Sequence, residues 1–153
     1  MLMVTKDESG SPQKIIISGV IDESTALDEL FGSIEKSIHV YCKDISRINS
    51  TGIQTWVGYF SRYRNGGGTV RFFEISPVLV TTTNYISNFF YLDEIASLCV
   101  PFQCADCSRS ITKTFTPDEV RKFAQDFPKV NCPTCKGEAF FDEIFEEYFA
   151  FLK

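Results

Sequence analysis

Cys104-Ala-Asp-Cys107 and Cys132-Pro-Thr-Cys135 are two Cys-x-x-Cys knuckles separated by 24 residues, 108–131. Thiolates at i and i+3 can hold one side of a tetrahedral ion through bonds of about 2.3 Å, and a second knuckle closes the other side. A closed four-sulfur site keeps no position for water, so it builds structure and does no chemistry. The knuckles therefore predict a zinc-ribbon-like module, with structural zinc on Cys104, Cys107, Cys132 and Cys135. A disulfide, or a redox dithiol of the kind Cys132-Pro-Thr-Cys135 resembles when read alone, is the competing reading. A reactive Cys-x-x-Cys has no need of a twin.

The gap between the knuckles is longer than the usual 15–20 residues, and the insert accounts for it. Thr116-Pro117-Asp118-Glu119 has a capping-box pattern with Pro at the first helical position. Val120, Phe123, Ala124 and Phe127 follow at i, i+3, i+4 and i+7, one helical face, and Pro128 ends the run. Zinc binding is worth roughly 10–16 kcal/mol in small zinc peptides, enough to hold a segment with a modest core.

A chain of 153 residues with 44% hydrophobic content and 15 Phe can bury a sizeable core. No apolar run reaches the roughly 18 residues needed to span a bilayer. The opening Met1-Leu2-Met3-Val4-Thr5-Lys6-Asp7 lacks the pattern of a secretory signal. Thiols committed to metal fit a reducing, cytoplasmic setting. Cys42 and Cys99 lie in apolar, strand-like segments and read as buried inert thiols. Net charge is −5, and residues 100–153 carry nine acids against seven Lys/Arg. That balance lacks the basic footprint of phosphate binding, so it argues against a nucleic-acid partner.

Along the chain, residues 1–6 read as a strand and Asp7–Pro12 as a turn cluster. Lys14–Ser18 is a β-branched central strand. A helix is expected from Asp22, with Leu27, Leu30, Phe31 and Ile34 on one face, then a strand over Ile38–Cys42. Asn49–Gly52 is a turn, followed by a helix with Ile53, Trp56, Val57 and Phe60 inward. Gly66-Gly67-Gly68 interrupts it, Thr69–Phe73 is a strand, and Ser76-Pro77 opens a helix with Val78, Thr82, Tyr85, Ile86 and Phe89 inward. The order β β α β α β α predicts an α/β fold with right-handed crossovers and a largely parallel sheet. The expected division is 1–95 for this domain and 96–153 for the zinc-ribbon-like module. In the module, Glu138–Asp142 pairs as a closing strand and Asp142–Leu152 is an amphipathic terminal helix docked on the body.

The turn Ile48-Asn49-Ser50-Thr51-Gly52-Ile53 sets hydroxyls at a helix N-terminus, where free N–H groups and the dipole favour an anion. A phosphate on Ser50 suits that place. The plainer reading is that Ser50 or Thr51 is an N-cap, with Gln54 completing a capping box on Thr51. Gly52 spares bulk beside the hydroxyls.

Three stretches carry a family resemblance. Ser18-Gly19-Val20-Ile21-Asp22 resembles the Gly-x-Leu-Asp turn of STAS domains, the fold of anti-sigma factor antagonists. Val40–Asp44 takes the place of that family's central strand, and Asn49-Ser50-Thr51-Gly52-Ile53 resembles its Asp-Ser-Ser-Gly-Leu turn. The likeness covers about residues 1–95. It implies a STAS-like mixed sheet with helices and a role in protein–protein binding. It also implies a phosphorylatable serine at Ser50, acted on by a histidine-kinase-like serine kinase that is itself the partner or anti-sigma factor. Asn49, Thr51, Gly52 and Asp22 would frame that contact. The family's Asp before the serine is Asn49 here, a departure that bears on the phospho-switch. Many STAS domains bind proteins without phosphorylation, and the zinc module is an addition that simple antagonists lack.

No catalytic set assembles. His39 is the one histidine and lies within a strand, no Gly-x-x-x-x-Gly-Lys loop is present, and Gly66–Gly68 precedes a strand, the wrong context for a dinucleotide site. The expected function is a cytoplasmic, non-enzymatic regulatory module. The alternative makes the ribbon itself a nucleic-acid or nucleoprotein-binding element on a STAS-like scaffold. A third reading is a redox switch in which oxidation of the four cysteines ejects zinc.

Overall fold

A computed structural model describes residues 1–123 and 126–153. β1 (Leu2–Asp7) and β2 (Gln13–Ile21) form an antiparallel hairpin. The Asp7 carboxylate accepts from the Ser9 amide (3.0 Å) and hydroxyl (2.6 Å), which tightens the turn between them. Then come α1 (Leu27–Phe31), β3 (Ser37–Ile48), α2 (Ser50–Asn65), β4 (Thr69–Phe73) and α3 (Pro77–Tyr85), the expected β β α β α β α. The sheet runs β1-β2-β3-β4, with β2, β3 and β4 parallel. Strand side chains alternate between faces. Ile15, Ile17, Val40, Cys42, Val70 and Phe72 are buried toward the helices, whereas Ile16, Tyr41, Arg71 and Phe73 point away.

Several boundaries differ from the sequence reading. The helix expected from Asp22 begins at Leu27. Asp22 instead makes a turn, accepting from the amide (2.9 Å) and hydroxyl (2.6 Å) of Ser24, while its own N–H donates to Thr25 Oγ1. Asx turns of this kind compete with helix. Gly32, at φ 58°, ends α1 after five residues, and Leu30 is exposed. β3 continues past Cys42 to Ile48 through a register shift near Ser18, which lets both Lys43 and Asp44 face solvent. In α2, Tyr59 joins Trp56 and Phe60 in the core, while Ile53 and Val57 are half-buried. In α3 the buried residues are Leu79, Val80, Thr82 and Thr83; Tyr85 is 81% exposed, and Phe89 is buried beyond the helix end.

Trp56 anchors this half. It stacks on Phe89 (5.3 Å, 8°) and meets Phe60, Phe72 and Phe90 at 4.7–6.0 Å. The start of α2 can sit this deep because Gly52 has no side chain: a Cβ there would overlap the Ile21 carbonyl at the end of β2. Gly58, on the same helix, would meet nothing closer than Arg62 at 3.6 Å. Gly52→Ala should therefore destabilise the fold by about 1–3 kcal/mol. Gly58→Ala should stabilise it by about 0.5–1 kcal/mol through helix propensity. Urea unfolding of the two variants checks the pair.

The C-terminal part is a second four-stranded sheet and not just a small ribbon element. β5 (Leu98–Cys104), β6 (Ser110–Phe115), β7 (Val130–Asn131) and β8 (Glu138–Phe141) are ordered β6-β5-β8-β7, all antiparallel. β6, Ser-Ile-Thr-Lys-Thr-Phe, was not legible as a strand because only Ile111 and Phe115 are apolar, and both are half-buried. α4 (Pro117–Phe123) opens with the expected capping box: the Thr116 amide donates to Glu119 Oε1 (2.9 Å), and the Glu119 amide to Thr116 Oγ1 (3.2 Å). Ala124, placed on the inward face by sequence, lies outside the described residues. Phe127 packs within 4.9–5.8 Å of Phe102, Phe115, Phe123, Phe141 and Phe149, the centre of a second aromatic cluster.

Parallel bridges from Phe72 to Ile95 and from Ile75 to Leu98 tie the two sheets, and one apolar core runs through both. The terminal helix expected over Asp142–Leu152 is a single α-turn, α5 (Phe145–Tyr148), followed by a 3₁₀ turn at Ala150–Leu152. It docks on the body through Asn84 of α3. That amide donates to the Glu147 and Tyr148 carbonyls (3.1 and 3.0 Å) and accepts from the Phe151 N–H (2.9 Å). Among the described residues no helix is long and apolar enough to cross a membrane. Asn84→Ala should cost about 1–3 kcal/mol, because it leaves backbone groups unpaired. Amide exchange should then quicken over residues 145–152 while β2 and β3 stay protected.

Candidate metal centre

Each knuckle is a hairpin turn closed by the same bonds. In the first, the Cys104 N–H donates to the Arg109 carbonyl (2.9 Å) and the Ser108 N–H to the Cys104 carbonyl (3.1 Å). In the second, the Cys132 N–H donates to the Gly137 carbonyl (2.8 Å) and the Lys136 N–H to the Cys132 carbonyl (3.0 Å). The residue after each second cysteine takes the left-handed conformation, Ser108 at φ 63° and Lys136 at φ 67°. β5 supplies Cys104, and β7 leads into Cys132. Because β8 pairs with both strands, the two turns are brought face to face. The Ala105 N–H donates to the Glu138 carbonyl (2.9 Å), locking one knuckle to the strand that follows the other.

All four sulfurs lie within 4.8 Å of one another. Cys104 Sγ is 3.4 Å from Cys135 Sγ, and Cys107 Sγ is 3.7 Å from Cys132 Sγ. A tetrahedral centre with bonds of about 2.3 Å has sulfur–sulfur edges of about 3.8 Å, so the set could hold a metal ion. The cysteines are free thiols, not disulfides. Backbone amides prepare the thiolates. The amides of Cys135 and Thr134 pull the Cys132 thiol down to about 6, and the Cys107 amide lowers Cys104. The Gly137 amide also pulls on Cys135, but Cys104, Cys107 and Cys132 outweigh it and push that thiol up to about 12. Two thiols lowered by backbone amides and a third raised by its sulfur neighbours show how closely the sulfurs are packed. Cys104 and Cys132 are buried, Cys107 is half-buried and Cys135 is exposed.

Two contributors to the centre were not legible as such. Asp106 packs on Gly137, where a Cβ would overlap its carboxylate, so a larger residue there would push this exposed side chain aside. Ser108 and Lys136 hold a conformation that costs an L-residue roughly 1–2 kcal/mol. The residues after the two knuckles, Ser108-Arg109 and Lys136-Gly137, share no pattern, so the sequence carried no signal for these turns beyond the Cys-x-x-Cys spacing. Ser108→Gly and Lys136→Gly should each raise the stability of the metal-loaded protein by about 0.5–1 kcal/mol, the relief of strain outweighing added unfolded-state entropy. Denaturant unfolding at saturating metal is the check.

Cys42 and Cys99 are far from this chemistry. Burial raises both thiols, and their sulfurs lie 3.6 Å from the Phe73 and Glu74 carbonyls, respectively.

At the other candidate site the N-cap is Asn49, in place of the Ser50 or Thr51 that sequence suggested. Asn49 Oδ1 accepts from the Gly52 N–H (2.8 Å), and Asn49 Nδ2 donates to Glu23 Oε2 (2.7 Å). The capping box of Thr51 with Gln54 is not needed, since both residues already lie within the helix. Ser50 is the first helical residue and is exposed, as is Thr51, while Gly52 is buried against Ile21. Asp22 and Asn49 border one shallow depression with Glu23 and Arg47. Ser50 and Thr51 do not line that depression. No protein-family model matches the chain, and no curated protein matches it.

Proposed function

We propose that the chain is a non-catalytic protein-binding module. Structural zinc on Cys104, Cys107, Cys132 and Cys135 fixes its C-terminal sheet, and the Asn49–Gly52 turn is its regulated contact with a protein partner. The observation that carries the second half is the division of labour at the turn. Asn49 takes the capping duty and Ser50 Oγ is left at an exposed first helical position. A phosphoryl group there would gain the helix dipole and would add about 1.5–2 negative charges to the surface beside Glu23. That supports the STAS-like reading, with a serine kinase of the anti-sigma type as partner and a cytoplasmic site of action. Asn at 49 keeps the cap that Asp would supply. Its N–H₂ also meets the Glu23 carboxylate, which an Asp would repel.

For the metal, a four-thiolate set suits zinc or iron. The short sulfur–sulfur edges fit one ion better than a cluster that carries its own sulfides. Zinc would act here by joining the two knuckles. The ribbon as a nucleic-acid element draws less support, because Arg121 is paired with Asp118 (3.1 Å) and Lys129 with Glu138 (3.5 Å).

Native mass spectrometry on protein purified from the cells that make it, beside Ser50→Ala, tests both halves. One zinc per chain is expected, with a phosphate that is absent from Ser50→Ala. Any co-purified partner should bind Ser50→Asp at least tenfold more weakly while the variant keeps its zinc and its fold. Iron, or no metal, overturns the first half. Unmodified Ser50 under all growth conditions, with wild-type binding by both variants, overturns the second. Salt-sensitive binding of DNA or RNA would put the ribbon reading in its place.

A further inference from the structure

The first sheet leaves one face open. Successive crossovers carry α1, α2 and α3 to the same side, so residues of opposite parity on β1–β4 meet no helix. Parallel strands are ordinarily covered on both faces, yet β2, β3 and β4 are parallel and covered on one. The register builds two rows across this face, Lys14–His39–Arg71 and Ile16–Tyr41–Phe73, with Met3 on the edge strand, 66% exposed. The apolar members Met3, Ile16, Tyr41 and Phe73 take no part in the core. A shallow pocket of about 180 Å³ opens between Lys14, Ile16, Tyr41 and Lys43.

Three features define what fits. The first is charge. In a chain of net charge −5, the strand residues facing outward include Lys14, Lys43 and Arg71 against two acids, Asp44 and Asp7, the latter bonded to Ser9. Lys43 lies 3.9 Å from Glu74 at the border, and Asp44 borders the same pocket. Among the described residues neither Lys14 nor Arg71 has a salt bridge. The second is area. Four strands about 4.8 Å apart and five to twelve residues long offer on the order of 500 Å², still under the roughly 800 Å² per partner of a stable protein pair. A second copy therefore does not suffice as occupant, and a single segment does. The third is ring geometry. Tyr41 and Phe73 are stacked on each other (4.8 Å, 14°), His39 lies against Phe73 (4.7 Å), and Lys14 Nζ covers Tyr41 at 4.5 Å. The rings spend their faces on one another and on a cation, which leaves little for stacking nucleobases.

We propose that this open face is a docking surface for a short acidic segment of another protein, one that carries aliphatic or aromatic side chains between its carboxylates. The carboxylates pair with Lys14 and Arg71, and the apolar side chains settle over Ile16 and Met3 and against the edge of the Tyr41 ring. The surface stands apart from the Ser50 turn and does not depend on it.

The test is selection of a random 12-residue peptide display library on the zinc-loaded full chain, with counter-selection on Lys14→Glu/Arg71→Glu. Circular dichroism and metal content confirm that the double variant folds. Enriched peptides should combine acidic and apolar residues. Synthesised singly, they should shift the backbone amide resonances of residues 14–16, 39–43 and 71–73, and bind the double variant at least tenfold more weakly. Tyr41→Ala should also weaken them. Enrichment of basic or uncharged peptides, or of none, overturns the proposal. So does a 20-nucleotide oligothymidylate that shifts the same amides more strongly, or sedimentation showing a dimer that the double variant abolishes.

Discussion

β5 is the member on which both halves of the molecule hang. Its first residue, Leu98, bridges to Ile75 beside the parallel sheet, and its last, Cys104, is the first sulfur of the metal cluster. Between them it pairs with β6 on one side and β8 on the other, and its Cys99 carbonyl accepts the buried Tyr148 hydroxyl at 2.7 Å. Displacing β5 would undo the sheet junction, the knuckle geometry and the tail anchor together. A metal ion held across the knuckles would therefore do more than clip a loop. It would fix the far end of a strand whose near end is buried in the first core.

How much of this was legible depended on how local the cause was. The capping box at Thr116 and Glu119 and the four-cysteine set are read from short spacings, and the structure contains both. The β β α β α β α order follows from periodicity and turn residues, and it too is present. What could not be read was decided at a distance or by competing side chains. Asp22 spends its carboxylate on Ser24 and delays α1, and Tyr85 points outward because α3 is rotated to bury Leu79 and Val80. β6 has too few apolar residues to announce itself and is a strand because β5 and Phe127 give it partners. The cap fell to Asn49 because the chain brings Glu23, 26 residues earlier, to its amide.

The two proposed contact surfaces differ in physical kind. The turn at Ser50 is small, polar and placed at a helix end, where one added charge changes the field sharply. The open sheet face is broader and half apolar, and its charges are held by neighbouring rings and strands. A module with both could hold one partner steadily while changing its contact with another. The stiffness required is supplied by the Trp56 and Phe127 clusters, which pack the two sheets separately but within one continuous core.

The four sulfurs are not equivalent toward solvent. Cys104 and Cys132 are buried, whereas Cys135 stands at the surface. An incoming thiolate or chelator meets a single open corner, so the ion would leave by stepwise ligand substitution, with Cys135 the first bond exchanged and Cys132 among the last. The centre would thus be thermodynamically closed yet kinetically approachable, able to accept an ion from a donor protein through a shared intermediate without the fold coming apart.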